Sequence, residues 1–275
     1  MQKYLLYIFI GLLSCSNCYA QLYKNDLEKR NLKGKVKVMK QISDQVKMEA
    51  GQIVKITSNS GVEWGGIHVY GVSDVIHFNK NGFEELHYVG RGTNKDEYKS
   101  LIISNFNHNG FKIKSIKYRN TGEVWGYTKY SYNATGLLTD KEDFIFYKPN
   151  ITTYKYDSKG QLERERKNDG NTKLFFYDAK GHLIRTFDGW DDVHYKRDTE
   201  GNLIEEIQYN ADGEWDHTIY YNQYGDIHKT LDKYQRVGYC EYKYDSFGNW
   251  IELKYYEGEK KAIKGISKRE IEYYN

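Results

Sequence analysis

Five tryptophans stand just behind glycines: Gly61/Trp64, Gly122/Trp125, Gly189/Trp190, Gly213/Trp215 and Gly248/Trp250. An indole offers a broad apolar face and one N–H donor, which suits a binding platform for a sugar ring or a partner surface. Trp64, Trp125 and Trp190, together with Tyr127, Asp188 and Asp192, form the candidate ligand-binding set, because carboxylates beside indoles supply the polar partners such a platform needs. Trp64 and Trp125 lie one residue beyond a column otherwise filled by Leu and are expected on the opposite face from it. Trp215 and Trp250 fall in that column and are expected in the core.

Two acidic clusters could hold a cation. Asn210-Ala211-Asp212-Gly213-Glu214-Trp215-Asp216 places oxygen ligands at alternate positions around a glycine, as flexible calcium loops do. A turn explains the same residues, so no metal is assigned there. Asp188, Asp191, Asp192 and His194 form the other cluster. The eight histidines show no HExxH spacing, and GxSxG, P-loop, GxGxxG and CxxC motifs are absent. Cys240, inside Tyr239-Cys240-Glu241-Tyr242, reads as a small buried hydrophobe. Neither catalytic residues nor a cofactor is assigned, and the chain is read as a non-enzyme.

The elements that carry these residues are written in a repeated sentence. YDSKGQL from Tyr156, YDAKGHL from Tyr177, YNADGEW from Tyr209, YNQYGDI from Tyr221 and YDSFGNW from Tyr244 are the clear copies. FNKNGFE from Phe78, FNHNGFK from Phe106, YRNTGEV from Tyr118, YNATGLL from Tyr132 and RDTEGNL from Arg197 are weaker ones. Each reads as a β-hairpin. An aromatic four residues before the glycine faces the core, and Asn or Asp opens the turn through its side-chain oxygen. The glycine takes a positive φ in a bulged type I turn, and Leu or Trp returns to the buried face. A glycine spacing of 12 fits one strand per turn, and spacings of 20 to 24 fit two strands with a less regular turn between them. Leu32 to Val38 reads as an opening strand partnered by Val46 and Met48, Asn25–Lys29 as one helical turn, and Lys260–Arg269 as a charge-protected edge strand.

Aromatic-Asp-x-x-Gly-x-Leu resembles the YD repeat of the Rhs family and the teneurins, across roughly residues 76–257. The resemblance implies an antiparallel sheet that coils into a spiral or shell, with roles from surface adhesion and carbohydrate binding to toxin encapsulation. The chain is far shorter than the large members, so a closed toxin shell is not expected. It looks like the small exported YD-repeat proteins of Bacteroidota. The expected fold is all-β, a single domain over 21–275 of repeated antiparallel hairpins in an extended, twisted or spiral sheet.

Composition and address narrow the partners. The 275 residues carry 41 Lys+Arg against 38 Asp+Glu, which excludes the basic footprint of a dedicated nucleic-acid binder. Tyr 28, Gly 25 and Pro 1 favour strands and exclude collagen-like, coiled-coil and disordered classes. Lys3, the apolar run Tyr4–Leu13 and Cys18-Tyr19-Ala20 describe a signal peptide over residues 1–20. Leu12-Leu13-Ser14-Cys15 also resembles a lipobox, which leaves open a lipid anchor on Cys15. The expectation is therefore an exported protein of the periplasm, outer-membrane surface or extracellular space, touching membrane only through such an anchor. Its expected role is a non-catalytic binding or scaffold module for a cell-surface glycan or an envelope protein. The alternative is an immunity or accessory factor of an antibacterial toxin or secretion system.

Overall fold

The computed structural model describes residues 26–50, 52–55, 62–64, 67–69, 72–90, 98–145, 148–258 and 262–275. The signal peptide and Cys15 lie outside them. Among the described residues no helix is long and apolar enough to cross a membrane.

Every repeat is the hairpin its residues dictate. In all ten copies the residue four before the glycine sits directly opposite the residue two after it, as in Tyr156↔Leu162 and Tyr244↔Trp250, with a register shift beside the pair. In the Tyr156 copy, Asp157 Oδ1 accepts the N–H groups of Lys159 and Gln161, both at 2.8 Å. The Gly160 N–H donates to the Asp157 carbonyl at 3.0 Å. Two more copies are hidden. Leu231↔Val237 flanks Gln235, which holds φ 61° without being glycine. Arg166↔Thr172 flanks Gly170, with charged residues where the aromatic and Asx stand elsewhere.

The sheet is not the open ribbon expected of a coiling repeat. Val36–Glu49 pairs on one side with Val72–Phe78 and on the other with Ala262–Tyr273, so 18 strands close into an antiparallel barrel. The basic C-terminal strand is thus paired on both sides and is no edge. Val46 and Met48 belong to the opening strand itself, and their partner is Gln52–Lys55. Closure removes the unpaired N–H and C=O groups that an open sheet of this length would present.

A short strap crosses one mouth. Asp26–Lys29 forms the helical turn, the Leu27 N–H donates to the Gly82 carbonyl at 3.1 Å, and Asn31 Nδ2 donates to the Tyr224 carbonyl at 3.0 Å. Along the wall, the strands that begin at Glu84 and Ile227 are six spacings apart, roughly 29 Å. Four residues reach at most roughly 14 Å, so the strap runs as a chord across the interior. It buries Leu27 and Leu32 against Val36, Met39, Ile76 and Phe78, which identifies the inner face. Directly opposed pairs carry that face around the ring, from Ile76 to His87, through Ser104 and Ser115 to Thr128, and on to Tyr154 and Glu165. Ser43, Ser104, Ser115, Thr128, Thr152 and Ser267 are buried on it.

The outer face carries cross-strand ion pairs: Lys40–Glu270 at 3.5 Å, Lys129–Glu142 at 3.4 Å, Lys196–Glu205 at 2.9 Å and Lys243–Glu252 at 2.9 Å. Exposed pairs of this kind each contribute at most about 1 kcal/mol. Lys129–Glu142 stands in mid-strand, where such charges interrupt the apolar band, about 25 Å tall, that a lipid-facing barrel wall needs.

The two rims differ. Successive turns alternate between the ends of the barrel, so Gly82, Gly110, Gly136, Gly160, Gly181, Gly201, Gly225 and Gly248 all fall at the strapped end. There the repeats are stitched together: Tyr132, Tyr156 and Tyr177 hydroxyls donate to the carbonyls of Lys112, Leu138 and Leu162 at 2.7, 2.9 and 3.0 Å. Tyr274 completes the ring by donating to the Phe78 carbonyl at 2.7 Å. At the other rim no atom lies within 4 Å of where a Cβ would sit on Gly122, Gly170, Gly189, Gly213 or Gly258, and neighbouring hairpins are linked there by polar contacts such as Asn168 to Pro149 and Gln208 to Asp191.

This contrast predicts unequal costs for the same substitution. Gly136 and Gly213 share a left-handed φ, 83° and 78°, which costs an alanine about 1–2 kcal/mol. At Gly136 the new Cβ would also lie 2.8 Å from the Phe111 ring. Gly136→Ala is expected to destabilise the barrel by about 1 kcal/mol or more beyond Gly213→Ala in urea unfolding; equal losses would mean that the strapped rim is not stitched.

Candidate binding rim

The free rim collects the aromatic turn tips. Trp190 sits at the tip of a tight turn in which the Asp188 N–H donates to the Asp191 carbonyl at 3.2 Å, and its side chain is 73% exposed. Tyr234, on the Gln235 turn, is 68% exposed, with Arg236 packed over its ring at 5.1 Å. Trp215 is half-buried at the same rim and its indole N–H donates to Thr218 Oγ1 at 2.9 Å. Trp125, in the register shift between Lys117 and Tyr118, is half-buried with the Lys117 ammonium 5.7 Å from its ring. Trp64 lies in the strand Val62–Trp64, which pairs with Ile67–Val69; its side chain is outside the described residues.

The sequence-predicted set therefore divides. Trp190 and Asp188 line one cleft of about 240 Å³, with Glu165, Lys167, Asn171 and Lys173. Asp192 follows closely in sequence, yet Arg185 clamps it with two bonds of 2.7 and 2.8 Å, and His194 lies 3.2 Å away. The Arg185 bonds hold its carboxyl below the usual range despite partial burial. Trp125 and Tyr127 stand five strand spacings away, roughly 24 Å along the wall. There Tyr127 stacks on Phe144 at 5.1 Å, with Lys114 and Lys129 over its ring.

Within the cleft, Glu165 stands directly opposite Lys173 on the inner face, and Lys167 shares that face by alternation. Asp188 Oδ1 accepts the N–H groups of Trp190 and Asp191 at 3.0 and 2.8 Å. Burial opposes its charge, but these two bonds and the ammonium groups of Lys173 and Lys167 hold its carboxyl below the usual range. It is a carboxylate at neutral pH.

The metal candidates resolve into turn chemistry. Asn210 Oδ1 accepts from the Asp212 and Glu214 N–H groups at 3.1 and 2.9 Å, and Asp191 Oδ1 accepts from Gln208 at 2.8 Å. Cys240 is buried, and burial pushes its thiol up to about 12, so it is protonated and a poor nucleophile at neutral pH.

Tyr234 and the cleft residues Glu165, Lys167, Asn171 and Lys173 escape a reading of the sequence. Tyr234 stands in a hairpin whose glycine is replaced by Gln235. The cleft residues share no motif and meet only because their strands pair. The detectable signal was Asp232-Lys233-Tyr234, which opens a turn with the same Asp as the other copies.

No protein-family model matches the chain, and no curated protein matches it. Among solved structures, it is similar to a chain in the crystal structure of TcdB2-TccC3-Cdc42, at 12% identity and TM-score 0.35, covering 82% of this chain and 14% of that one. It is similar to a porin-like protein from Bacteroides uniformis at 11% identity and TM-score 0.46, covering 86% of this chain and 96% of that one. A porin-like protein from Bacteroides vulgatus is similar at 10% identity and TM-score 0.26, covering 88% of this chain and 99% of that one.

Proposed function

We propose that this protein is an exported, non-catalytic binding module of the bacterial cell envelope that holds a glycan or protein ligand on its free rim. The difference between the two rims carries this reading. One rim is tied together beneath the strap, each turn leaning on the next, while the other presents Trp190 and Tyr234 to solvent on turns linked to their neighbours through Asp191–Gln208 and Lys233–Asp216. Large aromatic side chains exposed at turn tips bring little packing stability to the fold, and they are what a binding surface uses. The apolar run before Ala20 supports export, and the charged outer wall supports a barrel that stands in water instead of spanning a bilayer.

The test is retention of a fractionated envelope extract on immobilised residues 21–275, with sugar and protein assayed separately. Trp190→Ala is expected to cut retention tenfold or more, while Ile204→Ala, at a 42% exposed site on the strapped rim, leaves it unchanged. Retention unaffected by Trp190→Ala and Tyr234→Ala together would remove the free rim from the function. One retained protein without sugar would favour an interaction partner of an antibacterial toxin or secretion system.

A further inference from the structure

We propose that the Trp190 cleft is a subsite for one neutral pyranose unit of a glycan; this rests on the free rim being the binding face and adds the ligand's chemistry. Three observations converge. The first is the indole: a face 73% exposed at the edge of a cleft of about 240 Å³ gives a sugar ring an apolar surface for its C–H side.

The second is the state of the polar lining. Among the described residues, neither Lys167 nor Lys173 has an acidic partner within 4.0 Å, in contrast to the paired lysines of the outer wall. Asp188 uses Oδ1 for the turn, and among the described residues its Oδ2 accepts no hydrogen bond. Glu165 likewise makes no ion pair there although Lys173 is its direct cross-strand neighbour. The cleft thus offers donors in Lys167 and Lys173, and acceptors in Glu165, Asp188 and Asn171, whose Nδ2 already donates to Asp169 at 3.0 Å.

The third is charge balance. Two ammonium groups face two carboxylates, so the lining carries no net charge with which to select an anion or a cation. Alternating donors and acceptors complement hydroxyl groups, each of which both donates and accepts. The inner-face position of Glu165 and Lys173 puts these groups inside the lip of this rim, with Trp190 above them on the turn.

The probes are neutral hexasaccharides of glucose, mannose, galactose and N-acetylglucosamine, with hexagalacturonate as the anionic comparator, titrated calorimetrically into residues 21–275. At least one neutral hexasaccharide is expected to bind, near millimolar for a single-unit subsite. Trp190→Ala, at a site that supports no packing, is expected to weaken it about tenfold, and Lys173→Met about fivefold. Raising NaCl from 50 to 500 mM is expected to change affinity less than twofold, because neutral contacts are little screened. Hexagalacturonate binding that collapses with salt, with no neutral sugar bound, would overturn the neutral subsite and leave the binding rim standing. Failure of every saccharide, while the extract is still retained through Trp190, would likewise overturn the sugar and keep the rim. Loss of both would end the two readings together.

Discussion

Asp26→Ala is expected to destabilise the barrel by about 3–5 kcal/mol, the range for removing one partner of a buried ion pair. Asp26 and Lys112 meet at 2.8 Å with side chains 12% and 10% exposed, and Asp26 also accepts the Glu84 N–H at 2.8 Å. The loss leaves a buried ammonium without a counter-charge at the place where the strap is pinned. Lys112→Met in the Asp26→Ala background is expected to recover most of it, because the uncompensated charge is then gone. Guanidinium unfolding of the single and double variants measures both. A single-variant loss below about 1 kcal/mol would show that the strap is not held this way.

The same contact sets a pH dependence. Burial raises the Asp26 pKa, but Lys112, the Glu84 N–H and Lys29 outweigh it and hold the carboxyl below its ordinary 3.8. A depressed pKa in the fold means the stabilisation is complete above the ordinary value and is lost as pH falls through the folded one. The strap is therefore expected to stay docked at neutral and mildly acidic pH and to loosen only below about pH 4. Hydrogen exchange at Leu27 and Leu32 reports it; loosening between pH 5 and 7 would assign the switch to another group.

Trp250→Ala is expected to cost about 3–5 kcal/mol. Trp250 is 8% exposed, and the Arg269 guanidinium lies 3.4 Å from its ring centroid. Burial works to lower the Arg269 pKa, opposed by Asp226. A guanidinium stays protonated in proteins, so losing the ring leaves a cation short of partners as well as a cavity. Trp250→Phe restores a ring face and is expected to recover about half. Trp190→Ala, by contrast, is expected to move stability by no more than about 0.5 kcal/mol, as at an exposed surface site. Thermal unfolding of the three variants separates the core tryptophan from the one offered to a ligand.

The hairpins were legible because their chemistry is local. Asx and glycine set each turn, and alternation sets each face, so Tyr156↔Leu162 follows from seven residues. The copies at Gly170 and Gln235 were missed because backbone geometry can be met without the consensus side chains. Closure was invisible for a different reason. Whether the sheet's first and last strands meet depends on summed twist and on the long-range pairing of Met39 with Ile271, which no local pattern encodes. The basic C-terminal strand looked like a protected edge because Lys264 and Lys268 face water on a paired strand just as they would on a free one. Core and surface tryptophans were partly separable: Trp250 was assigned by its column, and Trp190 stood out by its Asp-rich turn. The partners of Trp190 in the cleft lie on other hairpins, and only the pairing of strands brings them together.

Hydroxyl-radical footprinting of residues 21–275, with and without the retained envelope fraction, tests the binding rim most directly. Protection is expected at Trp190 and Tyr234 and not at Phe247 or Tyr224, which are 52% and 37% exposed at the strapped rim. Protection of Phe247 and Tyr224 with Trp190 left reactive would contradict it.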